Sequence, residues 1–138
     1  MKQLSLNEWG MRIAEAVATR SSCLRGAVGC VLMDSKGKIK ATGYNSPPSG
    51  KAHCIEHPCL GANKEVYPDS CISVHAEISA LMQCTDVMEV GIVIVTLAPC
   101  FRCTKALLNS GMYRLVYRGK LLPECEDLLS GIGLVQLI

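Results

Sequence analysis

Aromatic side chains are nearly missing from this sequence, which holds one Phe, one Trp and four Tyr in 138 residues. Any core must therefore be built from Val, Ile, Leu, Ala and Met. There are also too few rings for the stacking platforms that bind single-stranded nucleic acid. Blocks of like charge are missing too. Lys and Arg number 14 against 12 Asp and Glu, and this formal charge of +2 is scattered, which argues against an extended nucleic-acid face. No run approaches the about 18 consecutive apolar residues of a membrane span, and the polar start MKQLSLNEWG is not a secretion signal. There is no internal repeat and no low-complexity tract. These absences leave one globular domain over residues 1–138, long enough to bury a real core. Its expected location is the cytoplasm, or a host's cytoplasm if the source is viral.

Cysteine, by contrast, is plentiful. There are nine, at 23, 30, 54, 59, 71, 84, 100, 103 and 125. An odd count without a secretion signal argues against a disulfide framework and makes metal binding the better explanation. Cys30 lies inside the apolar run AVGCVLM and reads as a small core residue. Cys84 and Cys125 have no partner at ligand spacing and read as structural.

Hydrophobic periodicity sets out the elements. Ser5-Leu6-Asn7-Glu8 has the form of a capping box opening a helix to about Ala18, with Leu6, Trp9, Ile13, Ala16 and Val17 expected on its buried face. Residues 27–33 and 39–44 flank the turn Asp34-Ser35-Lys36-Gly37 and read as a β-hairpin. Residues 46–72, rich in Pro, Gly, His and Cys, have no period, and so long a loop in a compact domain needs something to hold it. A helix over 74–83, a strand over 91–97, and a helix starting at Pro99 or Cys100 and stopping at Gly111 follow. A strand at 115–117, a helix at 125–129 and a strand at 134–138 complete the chain. The order α-β-β-α-β-α-β-α-β predicts an α/β fold of three layers, α-β-α, with a five-stranded mixed sheet and helices on both faces.

The chemistry is concentrated in His75-Ala76-Glu77 and Pro99-Cys100-Phe101-Arg102-Cys103. Cys100 and Cys103, three residues apart at a helix start, present both sulfurs on one face, and His75 opens a second helix. One imidazole and two thiolates suit zinc, and three protein ligands leave a fourth position open for water, as a catalytic site requires. The partial positive charge at both helix starts favours thiolates. Glu77, two residues past the ligand, lies beside the metal rather than on it. It is expected to take a proton from the attacking water and return it to the ring nitrogen, then to the departing amine. A lone Cys-x-x-Cys is common in zinc ribbons and a lone His-x-Glu means little; the full ordered set marks zinc-dependent nucleobase deaminases.

At these residues the chain resembles the cytidine/deoxycytidylate deaminase superfamily, and specifically its deoxycytidylate (dCMP) deaminases. The resemblance covers about residues 10–118. It includes Ser22-Cys23, Val28-Gly29, Ala41-Thr42-Gly43-Tyr44-Asn45, Pro48-Ser49-Gly50, His53-Cys54, the two zinc motifs with Thr96-Leu97-Ala98 and Thr104-Lys105, and Gly111 to Tyr117. It implies the same five-stranded fold and hydrolysis of dCMP to dUMP and ammonia, with dUMP feeding thymidylate synthesis. It implies further that Asn45 holds the deoxyribose hydroxyl, that the backbone at Ala76 contacts the pyrimidine edge, and that Tyr117 lines the pocket. Arg25, with Ser22 nearby, is the candidate for the 5′-phosphate. Three positions depart from the usual pattern: Ser79 stands for Asn, Ala98 for Ser and Ser46 for Gly. Ser46 lies where many relatives bind dCTP, so the implied effector, dCTP with Mg, meets an altered segment here. The resemblance also implies a homo-oligomer, a hexamer being one form, with a small nucleotide as substrate; hydropathy and scattered charge speak against membrane and nucleic acid as partners.

Cys54, Cys59 and Cys71 lie in the long loop with His53 and His57 among them, and the resemblance places a structural-zinc ligand at Cys23. Four thiolates would form a closed tetrahedral site and supply the order that a Pro/Gly loop lacks. Either histidine remains open as a substitute ligand. Two other functions fit the zinc motifs: a tRNA adenosine or free-base deaminase of the same superfamily, and, from another class, a non-catalytic zinc module that binds nucleic acid. The Cys/His-rich insertion and the lack of a basic C-terminal segment favour a nucleotide over tRNA, and the module would have no use for Glu77.

Overall fold

The computed structural model describes residues 2–138. Five strands form one mixed sheet: β1 Gly29–Met33, β2 Ile39–Tyr44, β3 Ile92–Val95, β4 Arg114–Tyr117 and β5 Gly133–Gln136, in the spatial order β2-β1-β3-β4-β5. β1 is antiparallel to both neighbours, whereas β3, β4 and β5 run parallel. The two inner strands β1 and β3 are buried along their whole length. The edge strand β5 is largely open, while β2 is partly covered.

Alternation along the strands separates two cores. Cys30, Leu32, Val93, Val95, Leu115 and Tyr117 face one side and Val31, Met33, Ile92, Ile94 and Val116 the other, as a side-chain period of two requires. The first side is covered by α2 (Ala76–Gln83), α3 (Phe101–Leu108) and α4 (Pro123–Leu128), the second by α1 (Leu6–Ala18). Helices therefore lie on both faces, as the element order predicts. The hairpin turn is held by the Asp34 carboxylate, which accepts from the N–H groups of Lys36 and Lys38, both at 2.9 Å.

Several expectations need correction. Ser5 does cap α1, accepting from Glu8 N–H at 3.1 Å, but the buried stripe is Gly10, Met11 and Ala14. Ile13 and Val17 pack at its margin, whereas Leu6, Ala16 and the 41% exposed Trp9 face outward. The reason is close approach. A Cβ at Gly10 would stand 2.0 Å from Cδ1 of Ile94, so the helix meets the sheet through its small residues and turns its bulky ones away. α3 begins after Cys100, which is its N-cap, so Pro99 stays outside the helix. It ends at Leu108 with Asn109 as C-cap, and Gly111, which is not in the left-handed region, does not cap it. The 46–72 loop carries a 3-10 turn, Leu60–Ala62, and a bridge from Ser46 to Val74 closes its ends.

Candidate active site

The site lies at the sheet end where β2 and β3 finish and β1 begins. Asn45 follows β2, Val28 precedes β1, and Leu97, Ala98 and Cys100 follow β3. Register places them together, because Gly29 pairs with Tyr44 and Cys30 with Val95. α2 is laid directly on β2: a Cβ at Gly43 would come within 2.4 Å of Ala76 O and of Ala80 N. That approach fixes the height at which His75 and Glu77 enter the site. His75 and Cys100 are the N-caps of α2 and α3 with no side-chain cap bond, so two helix N-termini point at one spot. Thr104, fully buried, ties the start of α3 with its hydroxyl on Cys100 O at 2.8 Å.

His75, Cys100 and Cys103 converge as their spacing predicts. His75 Nδ1 is 3.3 Å from Cys103 Sγ and 3.6 Å from Cys100 Sγ, and the donor atoms lie within 4.8 Å of one another. Bonds from Cys103 and then from His75 draw the Cys100 thiol down to about 3, the thiolate form that a metal needs. Cys103, bonded to Cys100 and buried, is pushed up in turn. One nitrogen and two sulfurs on a rigid frame with an open side fit zinc in its catalytic rather than its closed structural form. Glu77 is only 4% exposed, and burial pushes its carboxyl above the ordinary range.

A cavity of about 220 Å³ opens against these groups, lined by Arg25, Gly26, Val28, Asn45, His75, Ala76, Glu77, Leu97, Ala98 and Cys100. It is smaller than the several hundred Å³ of drug-sized pockets and suits a single small ring. Gly26, Val28, Leu97 and Ala98 were not anticipated as lining residues. Leu97 and Ala98 had a positional signal between β3 and the Cys100 motif, whereas Gly26 and Val28, before β1, are brought in by strand register. Asn45 is 8% exposed and already engaged with protein: its Oδ1 accepts from Val28 N–H at 2.8 Å and its Nδ2 donates to Gly26 O at 2.7 Å. It therefore builds the pocket wall as well as facing the cavity. Tyr117 sits in the core beside Val95 rather than in this wall. Ser22 is buried outside it, with its Oγ 2.6 Å from His53 Nδ1.

The loop cysteines are arranged differently. Cys54 neighbours Cys59, Cys23 neighbours Cys71, and Cys23 is also near enough to Cys54 to help raise its thiol. Among the described residues, the only trio of donors within 4.8 Å is the one at His75, so no three of these thiols gather that closely.

A family model described as the cytidine and deoxycytidylate deaminase zinc-binding region matches residues 4–118. The chain belongs to the cytidine and deoxycytidylate deaminase family. Deoxycytidylate deaminase of Mycobacterium phage D29 is 36% identical over 125 residues, covering 85% of this chain and 97% of that protein. ComE operon protein 2 of Bacillus subtilis (strain 168) is 32% identical, covering 96% of this chain and 70% of that protein. The crystal structure of dCMP deaminase from the cyanophage S-TIM5 in apo form superposes with a TM-score of 0.75 at 25% identity, covering 99% of this chain and 100% of that one. The family is zinc-binding, the His75, Cys100 and Cys103 donors form a candidate site for that metal, and the protein is a hydrolytic deaminase. Among the described residues, no helix is long and apolar enough to cross a membrane.

Proposed function

We propose that this chain hydrolyses dCMP to dUMP and ammonia and so supplies dUMP for thymidylate synthesis. The observation that carries this reading is a buried carboxylate, Glu77, beside a His/Cys/Cys donor set, both opening on one small cavity. Kinship with deoxycytidylate deaminases supports the choice of substrate. Zinc, when held by His75, Cys100 and Cys103, supplies a Lewis acid that acidifies water at the cavity floor. Glu77 accepts one proton of the attacking water and delivers it to ring nitrogen N3; it then takes the second from the new C4 hydroxyl and passes it to the amino group, which leaves as ammonia while the C4 carbonyl forms. The backbone at Ala76 meets the pyrimidine edge. Asn45 holds the sugar hydroxyl with what hydrogen-bonding capacity the Gly26 and Val28 bonds leave it. Arg25, on the cavity rim, takes the 5′-phosphate.

Cys23 and the loop thiols Cys54, Cys59 and Cys71 hold a second, structural zinc in this reading, four thiols being a donor set that suits a closed tetrahedral site. dCTP with Mg is the proposed effector, a homo-oligomer (hexameric in one form) the proposed assembly, and the cytoplasm the proposed location of this one-domain enzyme. Ammonia release from dCMP, cytidine, cytosine, guanine and tRNA under identical conditions tests the reading. Turnover is expected to be fastest with dCMP; faster release from tRNA or a free base would replace it with the corresponding deaminase.

A further inference from the structure

Arg25 stands at the seam between the cavity and the long loop. It lines the cavity next to Gly26 and Val28, while its guanidinium reaches back to the loop. Nε donates to Gly61 O at 2.7 Å, and Nη2 donates to Tyr67 O at 3.2 Å and to Pro68 O at 2.9 Å. Those bonds leave Nη1, with its own N–H groups, for another acceptor. The grip falls at the tightest crossing of the loop. A Cβ at Gly61 would lie 2.2 Å from both the N and the Cα of Cys71, so the 3-10 turn can touch the segment returning to His75 only because position 61 has no side chain. A second contact, between Ser22 Oγ and His53 Nδ1, spans the same seam. Residues 21–28 are thus held by Asn45 on the sheet side and by the loop on the other.

We infer that the 46–72 loop, acting through Arg25, is what lets the site distinguish a 5′-nucleotide from a nucleoside; this rests on the dCMP reading above. An arginine tied to three carbonyls has already given up its rotamer freedom, so it meets a phosphate in place. Released from the loop, the same charge on a flexible stem must be ordered each time substrate binds. Coupling of this kind is reciprocal: whatever affinity the closed loop adds for phosphate, bound phosphate must return as protection of the closed loop.

Lys64 lies exposed in this loop, and trypsin cleavage there reports loop opening. dUMP is expected to slow cleavage at Lys64 about tenfold or more, and deoxyuridine at the same concentration to leave it unchanged. Arg25→Gln should abolish the dUMP effect, and Arg25→Lys, which keeps the charge but cannot bridge three carbonyls, should abolish most of it. In steady state the ratio of kcat/KM for dCMP to that for deoxycytidine should fall about tenfold or more in Arg25→Lys and in Gly61→Ala, a change that strains the loop crossing without removing the cation. Equal protection of the parent by dUMP and deoxyuridine, a measurement that needs no variant, overturns the inference. So does an unchanged ratio in both variants of a parent that deaminates dCMP. A parent that does not act on dCMP removes the functional reading, and the inference with it.

Discussion

Cys100 and Cys103 reach His75 from the first turn of a helix that follows a strand buried along its whole length, whereas Cys54, Cys59 and Cys71 hang on a segment whose regular structure is one 3-10 turn. The first set is brought together by the fold. Strand β3, the N-caps of α2 and α3 and the approach of α2 at Gly43 place its donors within 4.8 Å of one another. The second set, with Cys23 beside it, lacks that frame and brings no three donors within the same distance. A site built on packed elements keeps its geometry and can leave one coordination position for chemistry, while a site on a loop must draw its order from what it binds.

The largest effect that tests this contrast is at Glu77. Glu77→Gln should lower turnover of dCMP by at least about 10³-fold while zinc content is retained, since the carboxylate moves protons and does not hold the metal. Ammonia release and elemental analysis of the same sample decide it. Loss of zinc in this variant would mean the carboxylate belongs to the donor set. Cys103→Ala, by contrast, should lose zinc and activity together with a smaller loss of stability.

Next comes Cys59→Ser. It should reduce bound zinc from two ions to one, lower Tm by about 10 °C, as a loss of ~3 kcal/mol implies at this chain length, and speed cleavage in the loop. If it strips both ions, the two regions are one cooperative unit and the contrast fails.

Asn45→Ala has a smaller, double effect. Removing the amide leaves Val28 N–H and Gly26 O without their partner, which should cost about 1–3 kcal/mol in denaturant unfolding, alongside a raised KM for dCMP. Unfolding unchanged with KM raised would assign Asn45 to substrate alone.

The smallest effect lies at the far end of the sheet. The N–H of Lys38 and then that of Lys36 hold the Asp34 carboxyl below its ordinary 3.8. Because the folded value is depressed, the turn's contribution is present above pH 3.8 and is lost as pH falls through the depressed value. Asp34→Asn should remove this portion of the acid-side dependence of Tm and leave activity at neutral pH untouched.

Local information made much of this molecule legible. The strands announce themselves as short β-branched runs, and Ser5 caps α1 from within its own turn. His75, Glu77, Cys100 and Cys103 follow from spacing on two helix starts. What was illegible depends on which surfaces meet. The buried stripe of α1 was misassigned because large apolar residues were weighted, while Gly10 and Ala14 are what let the helix reach the sheet. Tyr117 was expected at the pocket, but strand alternation turns it into the core beside Val95. Arg25 carries no local sign that its partners are carbonyls at 61, 67 and 68, some forty residues further along the chain.

The sequence alone determined the element order, the candidate zinc-donor set and the carboxylate beside it, because helix starts and i, i+3 spacing are set within a few residues. The tertiary structure alone decided how deep the carboxylate lies, which strand ends wall the cavity, and how the loop is fastened to it. Those outcomes depend on strand register and on backbones approaching at Gly10, Gly43 and Gly61, which are contacts between residues far apart in the chain.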